Sequence, residues 1–409
     1  MPSLTHNTPA LRFPGYTGVW EQHKFSDFTW NAGKRNKDNL DLEAFAITND
    51  RGFIRQNEAH DEFGYMKNTD RRAYNIVEPY SFAYNPARIN VGSIGYYEGT
   101  EDVIVSSLYE VFKTADYIDD RFLWHWLKSD QFPQWITKLQ EGSVRLYFYY
   151  DKLCECQMLM PSLDEQKKIA TLFDNLDDRI DLHQRQTQKL TELKQGLLHE
   201  MFPREGESVP RLRFPGFTDT WEQQKLDDLY IFAGSGGTPK STNQQYYNGS
   251  IPFLGISDIT GRDITKTKKT ITEEGLHHST AWIVPAGAIS LAMYASVGEI
   301  GILTHDTATS QAFYNMVFDD DRVRDFIYYR LFKAAEQAEY EPLISTGTQR
   351  NLNAEKIKNF TVQVTSVDEM GAIGHFFRTL DDLINLHQQQ TEKLTELKKG
   401  LLQKMFPQD

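Results

Sequence analysis

Apolar residues recur at intervals of four and three through two separate stretches of the chain. The first runs Ile169, Phe173, Leu176, Ile180, then Leu190, Leu197 and Met201. The second runs Ile373, Phe377, Leu380, Ile384, then Leu394, Leu401 and Met405. That rhythm places one stripe on a helix and is the seam spacing of a coiled coil. An S-x-x-E pair, a capping-box signature, opens each stretch: Ser162 with Glu165, and Ser366 with Glu369. Pro203 and Pro407 stop the helices. About 38 residues at 1.5 Å each make a rod of roughly 55 Å. The middle of each seam is polar, with His183 and Thr187 in one and His387 and Thr391 in the other. Polar seam residues of this kind fix register at a cost in stability. Antiparallel pairing would bring the two polar centres together and cover both stripes without a second chain.

The remaining blocks lack this rhythm. Residues 30–160 hold short strand-like runs such as VRLYFYY (144–150), the turn-rich YNPARINVGSIGYYEG (84–99) and a helical YIDDRFLWHWLKS (117–129). Residues 231–365 hold GGTPKS (236–241), IPFLGISDI (251–259), GAISLAMYASVGEIGIL (287–303) and STGTQRNLNAEKI (345–357). Both read as compact α/β modules with many loops.

The chain repeats itself around these blocks. LTELKQGLLHEMFP at 190–203 returns as LTELKKGLLQKMFP at 394–407. LRFPGYTGVWEQHKFSDF at 11–28 returns as LRFPGFTDTWEQQKLDDL at 212–229. Residues 164–203 and 368–407 agree at 25 of 40 positions, whereas the blocks between show no convincing similarity. This is duplication of a large unit, not a solenoid period. The expected fold is α+β: two globular α/β domains separated by two long helices packed as an antiparallel coiled coil, with internal pseudo-two-fold duplication. The expected boundaries are a first domain at 1–163, a central helix at 164–203, a second domain at 204–367 and a C-terminal helix at 368–409.

Composition narrows the function. Of 409 residues, 40% are hydrophobic and 13% aromatic, as in a globular protein. No apolar run approaches 18 residues, so no membrane helix is expected. The first residues lack the basic start and apolar core of a signal peptide. Cys154 and Cys156 can build neither a disulfide framework nor a zinc site alone, which predicts a reduced, cytoplasmic protein. The net charge is −13, and the four segments carry −5, −2, −4 and −2 in chain order. With no basic block, tight independent binding to nucleic acid is disfavoured.

Catalytic signatures are missing. GSGGTPKS (234–241) resembles a phosphate loop, but Pro239 stands where that loop needs glycine before its lysine. The sequence has no H-E-x-x-H, no G-x-S-x-G, no dinucleotide fingerprint and no Asn/Asp-Pro-Pro-aromatic motif of an amino-methyltransferase. Acidic clusters at Asp177–Asp178 and Asp319–Asp321 read as solvated faces rather than metal sites. A non-catalytic chain is expected.

Two unlike modules held by two alike helices resemble the specificity subunit of a type I restriction-modification system. The likeness covers nearly the whole chain. It is carried by MPSLDEQKKIA (160–170), KLTELKxGLLxxMFP (189–203 and 393–407), LRFPGF-W-E (212–222), and the phrases TPKS, IPFLGISDI, YASVGEIGIL and GTQRNLN. One departure is Met370 where the first copy has Gln166, which removes a hydrogen bond at the helix start.

The resemblance implies two target recognition domains, each reading half of a bipartite double-stranded DNA site. The helices would set the spacing and dock two methyltransferase subunits that methylate adenine with S-adenosylmethionine. Restriction subunits using ATP and Mg²⁺ would join them, so this chain itself carries no cofactor and no metal. Acidic charge then fits, because partner subunits can supply the phosphate contacts.

Base-reading candidates in the first module are Lys34, Arg35, Lys37, Asn85, Arg88 and Arg145. In the second they are Thr238, Lys240, Tyr294, Ser296, Gln349, Arg350 and Asn351. Arg and Lys suit guanine; Asn and Gln suit adenine. The basic run Arg262, Lys266, Lys268, Lys269 suits phosphates. Two other classes fit the bulk properties. One is a coiled-coil adaptor with two protein-binding heads and no DNA role; the other is a nuclease with a degenerate site. A specificity subunit serving a fused methyltransferase-nuclease is a nearer variant.

Overall fold

The computed structural model describes residues 7–49, 51–59, 71–142, 146–204, 206–344 and 351–407. The chain forms two compact units. Unit 1 joins residues up to His183 with those from Gln390 onward, and unit 2 runs Gln184–Gln389. Both long helices form, Leu163–Glu200 and Val367–Met405. Each stops just before its predicted proline, and each contributes its first half to one unit and its second half to the other.

Within unit 1, strand Glu21–Lys24 pairs antiparallel with Gln157–Met160. An antiparallel sheet follows in the order Thr29–Asn31, Glu110–Thr114, Ser81–Tyr84, Ile94–Tyr97. A second sheet runs Lys34–Arg35, Asn75–Val77, Val103–Val105, Ala44–Thr48, Gly52–Arg55, with the third and fourth strands parallel. YIDDRFLWHWLKS folds as expected into a helix, Asp120–Leu127, whose N-cap Asp119 accepts from Phe122 N. The described part of VRLYFYY, residues 146–150, does not make a strand. Among its described residues Tyr147 forms one isolated bridge to Glu141, and a helix starts at Tyr150. Period-two aromatics there reflect one buried ring, Phe148, between outward Tyr147 and Tyr149.

Unit 2 repeats this plan despite the unlike sequence. Glu222–Lys225 pairs antiparallel with Thr361–Val364. One sheet runs Phe232–Ser235, Phe313–Val317, Ile289–Ala292, Ile300–Leu303, and adds Asp263–Ile264 at its edge. The other runs Ile283–Val284, Thr307–Thr309, Tyr247–Leu254, Lys269–Ile271, again with one parallel pair in the middle. Ile289–Ala292 and Ile300–Leu303 are wholly buried, which explains their unbroken small and apolar character. The two modules therefore share strand order where their side chains share almost nothing.

The repeated phrases build the joints within each unit. Arg12 donates through Nε and Nη2 to both carboxylate oxygens of buried Glu165, at 2.6 and 2.7 Å. Arg213 does the same to Glu369 at the same two distances. The glutamates of the predicted capping boxes thus serve as arginine receptors. In the second copy Glu369 N also donates to Ser366 Oγ at 3.4 Å. Leu11 N donates to Lys404 O in unit 1, and Leu212 N to Glu200 O in unit 2.

The MFP helix ends fill each core. In unit 1 Phe406 lies against Trp20, Phe122 and Phe173, at centroid distances of 6.4, 5.4 and 6.2 Å. Phe202 lies against Trp221, Phe326 and Phe377 in unit 2, at 6.2, 5.2 and 6.1 Å. Inside each unit the helix halves run antiparallel. Phe173 meets Phe406 while Asp177 meets Lys398, and Phe377 meets Phe202 while Asp381 meets Lys194.

The stripe residues follow this division. Phe173 and Leu176 are buried in unit 1, and Leu394 and Leu401 pack against that core. Phe377 and Leu380 are buried in unit 2, with Leu190 and Leu197 packed against it. Ile180, His183, Thr187, Ile384, His387 and Thr391 are half-buried, so burial falls toward the polar middle of each helix.

Gln166 confirms what Met370 lacks. Its Nε2 donates to Pro161 O at 3.0 Å, and its Oε1 accepts from Asp119 N at 2.9 Å. Met370 is simply buried. Among the described residues no helix is long and apolar enough to cross a membrane.

Candidate nucleic-acid interface

In each unit one end of the antiparallel sheet gathers three loops. Strand Thr29–Asn31 finishes where Glu110–Thr114 begins and Ser81–Tyr84 ends, since Asn31 pairs with Phe112 and Tyr84 with Glu110. Unit 2 matches: Ser235 pairs with Tyr314 and Ala292 with Phe313. The segment leaving the first strand carries the short edge strand Lys34–Arg35 and then Lys37 in unit 1, Thr238 and Lys240 in unit 2. The loop leaving the third strand carries Asn85 and Arg88 in unit 1, Tyr294 and Ser296 in unit 2. The segment before the short helix Tyr150–Glu155 or Ala354–Lys358 holds Tyr147 and Tyr149, or Asn351 and Asn353. The sequence candidates of the two modules thus fall on equivalent loops. Arg145, Gln349 and Arg350 lie outside the described residues.

Unit 1 shapes these loops into a cleft of about 670 Å³. Arg35, Asn85 and Arg88 line it, and Lys34, Lys37 and Arg88 are exposed. Arg35 is partly occupied: Nη1 donates to the carbonyls of Ala73 and Ser107, the latter at 3.3 Å. Its guanidinium therefore steadies the 106–109 turn as much as it offers charge. Asn75 Nδ2 braces the same turn through Tyr109 O at 2.8 Å. Burial raises the pKa of the Tyr109 phenol and of the Glu110 carboxyl.

In unit 2, Thr238 Oγ1 donates to Gln311, tying the first loop to the turn before Phe313–Val317. Tyr294 bridges to Asn351 across the sheet end, and Ala295 holds a left-handed φ of 59°. Gly236 and Gly237 of GSGGTPKS are closely packed. A Cβ on Gly236 would lie 2.1 Å from Thr309 O, and one on Gly237 2.2 Å from Thr280 Oγ1.

The basic run separates. Arg262 turns inward to Asp263 at 2.6 Å and Asp382 at 3.4 Å, with its side chain 9% exposed. Lys268 Nζ donates to Ser257 O at 3.0 Å. Lys240, Lys266 and Lys269 are exposed. Sequence reasoning passed over Leu108, Tyr147, Tyr149 and Gln311. The signals available were the YFYY alternation and a leucine within the polar SSLYE stretch.

Little here resembles a catalytic centre. No three His, Cys, Asp or Glu side chains among the described residues converge to hold a metal. Asp320, from the acidic cluster, caps helix Asp321–Glu336 through Arg322 N. Cys154 and Cys156 are unpaired, and burial pushes the Cys156 thiol well above its ordinary pKa.

Comparison with known proteins gives one family. The model of the type I restriction modification DNA specificity domain matches residues 31–192 and 218–396. The MjaIX type I restriction enzyme specificity subunit of Methanocaldococcus jannaschii is 30% identical over 190 residues. That match spans 46% of this chain and 44% of the relative. The HindI specificity subunit of Haemophilus influenzae is 20% identical across 95% of this chain and 98% of its own. Among solved structures, the type I restriction-modification S subunit from M. genitalium shares the fold. Its TM-score is 0.66 at 15% identity, over 98% of this chain and 100% of the other.

Proposed function

The chain belongs to the type I restriction-modification DNA specificity family, and on that premise we propose that each unit reads one half of a bipartite DNA site. The observation carrying this reading is the pair of equivalent sheet ends. They share strand order and loop placement yet present different side chains, Arg35, Asn85 and Arg88 against Thr238, Lys240 and Ser296. One scaffold with two reading surfaces suits two different sequences on one duplex.

The long helices, paired antiparallel as a coiled coil, set the distance between half-sites at about one DNA turn, roughly 34 Å. They dock two methyltransferase subunits, which bring S-adenosylmethionine and methylate adenine in each half-site. Restriction subunits using ATP and Mg²⁺ assemble on that core. This chain supplies the address and no chemistry. Its charge of −13 leaves the phosphate contacts to its partners.

The test is a genome-wide map of N6-methyladenine in cells with and without the chain, its methyltransferase partner held constant. A two-part motif with a fixed gap, present only with the chain, is expected. Methylation unaffected by its loss would overturn the reading, as would metal-dependent cleavage by the purified chain alone.

A further inference from the structure

The cleft of unit 1 has an apolar side that the described residues of unit 2 do not repeat. Leu108 stands 74% exposed at its rim, in the turn leading into strand Glu110–Thr114. The turn is built to hold it: Tyr109 N donates to Ser106 O at 3.0 Å, and Arg35 holds the Ser107 carbonyl. Tyr147 and Tyr149 line the same cleft and stack at 5.5 Å with an interplanar angle of 2°, Tyr149 being 48% exposed. Single exposed leucines are ordinary. An outward leucine on a braced turn, lining the same cleft as two stacked rings and Arg88, is a formed surface.

Unit 2 carries amides at the matching places. Gln311 occupies the turn before Phe313–Val317, and Asn351 and Asn353 precede the short helix. The two sheet ends thus differ in kind. Amide groups pair with the adenine edge, while the only apolar group that a base offers in the major groove is the thymine 5-methyl.

We propose that Leu108, with Tyr147 and Tyr149, reads a thymine 5-methyl group in the half-site held by unit 1. This rests on the reading that unit 1 contacts duplex DNA. The cationic groups of the same loops, Lys34 and Arg88, suit the flanking phosphates. Arg35 is a positioning residue, because it fixes the turn that aims Leu108.

The test uses the full chain in complex with its methyltransferase partner, on a duplex carrying the motif read from the methylation map. Each thymine of each half-site is replaced in turn by deoxyuridine, which removes only the methyl group. One replacement, in one half-site, should weaken binding about four- to tenfold. With Leu108→Ala the same replacement should change binding less than about twofold, because the partner of the methyl is gone. Leu108 is exposed, so the variant keeps its fold. A half-site of G·C pairs alone would overturn the proposal. So would indifference to every deoxyuridine, or a loss that persists undiminished in Leu108→Ala. In each of those cases recognition of a two-part site by the wild-type complex still stands. If the complex methylates no two-part site at all, the recognition reading fails and this inference with it.

Discussion

Removing the phenyl ring of Phe406 should loosen the module at the other end of the sequence. Phe406 is 1% exposed and touches Trp20, Phe122 and Phe173, all in unit 1. Phe→Ala in a packed core costs about 3–5 kcal/mol, the lost burial plus the cavity left behind. At about 1.4 kcal/mol per power of ten, local opening of unit 1 should become roughly 10² to 10³·⁵ times more frequent. Phe202→Ala should do the same to unit 2, where that ring meets Trp221, Phe326 and Phe377. Amide hydrogen exchange read by mass spectrometry separates the two. With Phe406→Ala, peptides from 118–127 and 169–180 should lose protection while 321–336 keeps it. Phe202→Ala should reverse the pattern. If Phe406→Ala exposed 321–336, or left 118–127 protected, the assignment of each helix end to its unit would be wrong.

Further outcomes follow from the same joints. Lys194→Met should destabilise unit 2 by about 3–5 kcal/mol in denaturant titration, because it strips the carboxylate of Asp381, 8% exposed, of its cation and leaves it the neutral donor Tyr329. Lys398→Met should cost clearly less, since Asp177 in unit 1 is about one-third exposed; equal losses would argue against burial as the cause. His125 is fully buried, and burial holds its pKa below the ordinary 6.5. The unfolded chain therefore takes up the proton first, so unit 1 should lose stability as pH falls below about 6.5 and keep it above. His125→Gln should flatten that dependence in thermal melts between pH 5 and 7. Unit 2 has Tyr329 at the matching place, so it should lack this contribution. A four-residue insertion in the 170–200 helix adds roughly 6 Å and should widen the gap in the methylation motif, leaving both half-site sequences unchanged. Altered half-sites with an unaltered gap would refute the ruler.

The helical framework was legible because burial repeats every few residues and leaves a periodic trace. Phe173, Leu176, Phe377 and Leu380 could be placed from spacing alone. Which core each helix end completes could not, because Phe202 and Phe406 read alike in sequence and only long-range packing assigns them. The shared strand order of the modules was also hidden. A buried strand requires apolar, small or paired polar residues, not particular ones, so Ser81–Tyr84 and Ile289–Ala292 diverged freely while keeping their place. Local spacing marks Glu165 and Glu369 as capping groups, whereas Arg12 and Arg213, more than 150 positions away, claim them. At the candidate interface, charge drew notice to Arg35 and Arg262. Backbone carbonyls occupy part of the first, and Asp263 the second. Leu108 carries no charge, and its exposure exists only once the turn is folded.

Two-part recognition is tested most directly by exchanging residues 30–160 for the corresponding block of another family member and mapping N6-methyladenine. The account predicts that one half of the motif changes, while the other half and the gap persist. A change in both halves, or in neither, would contradict it.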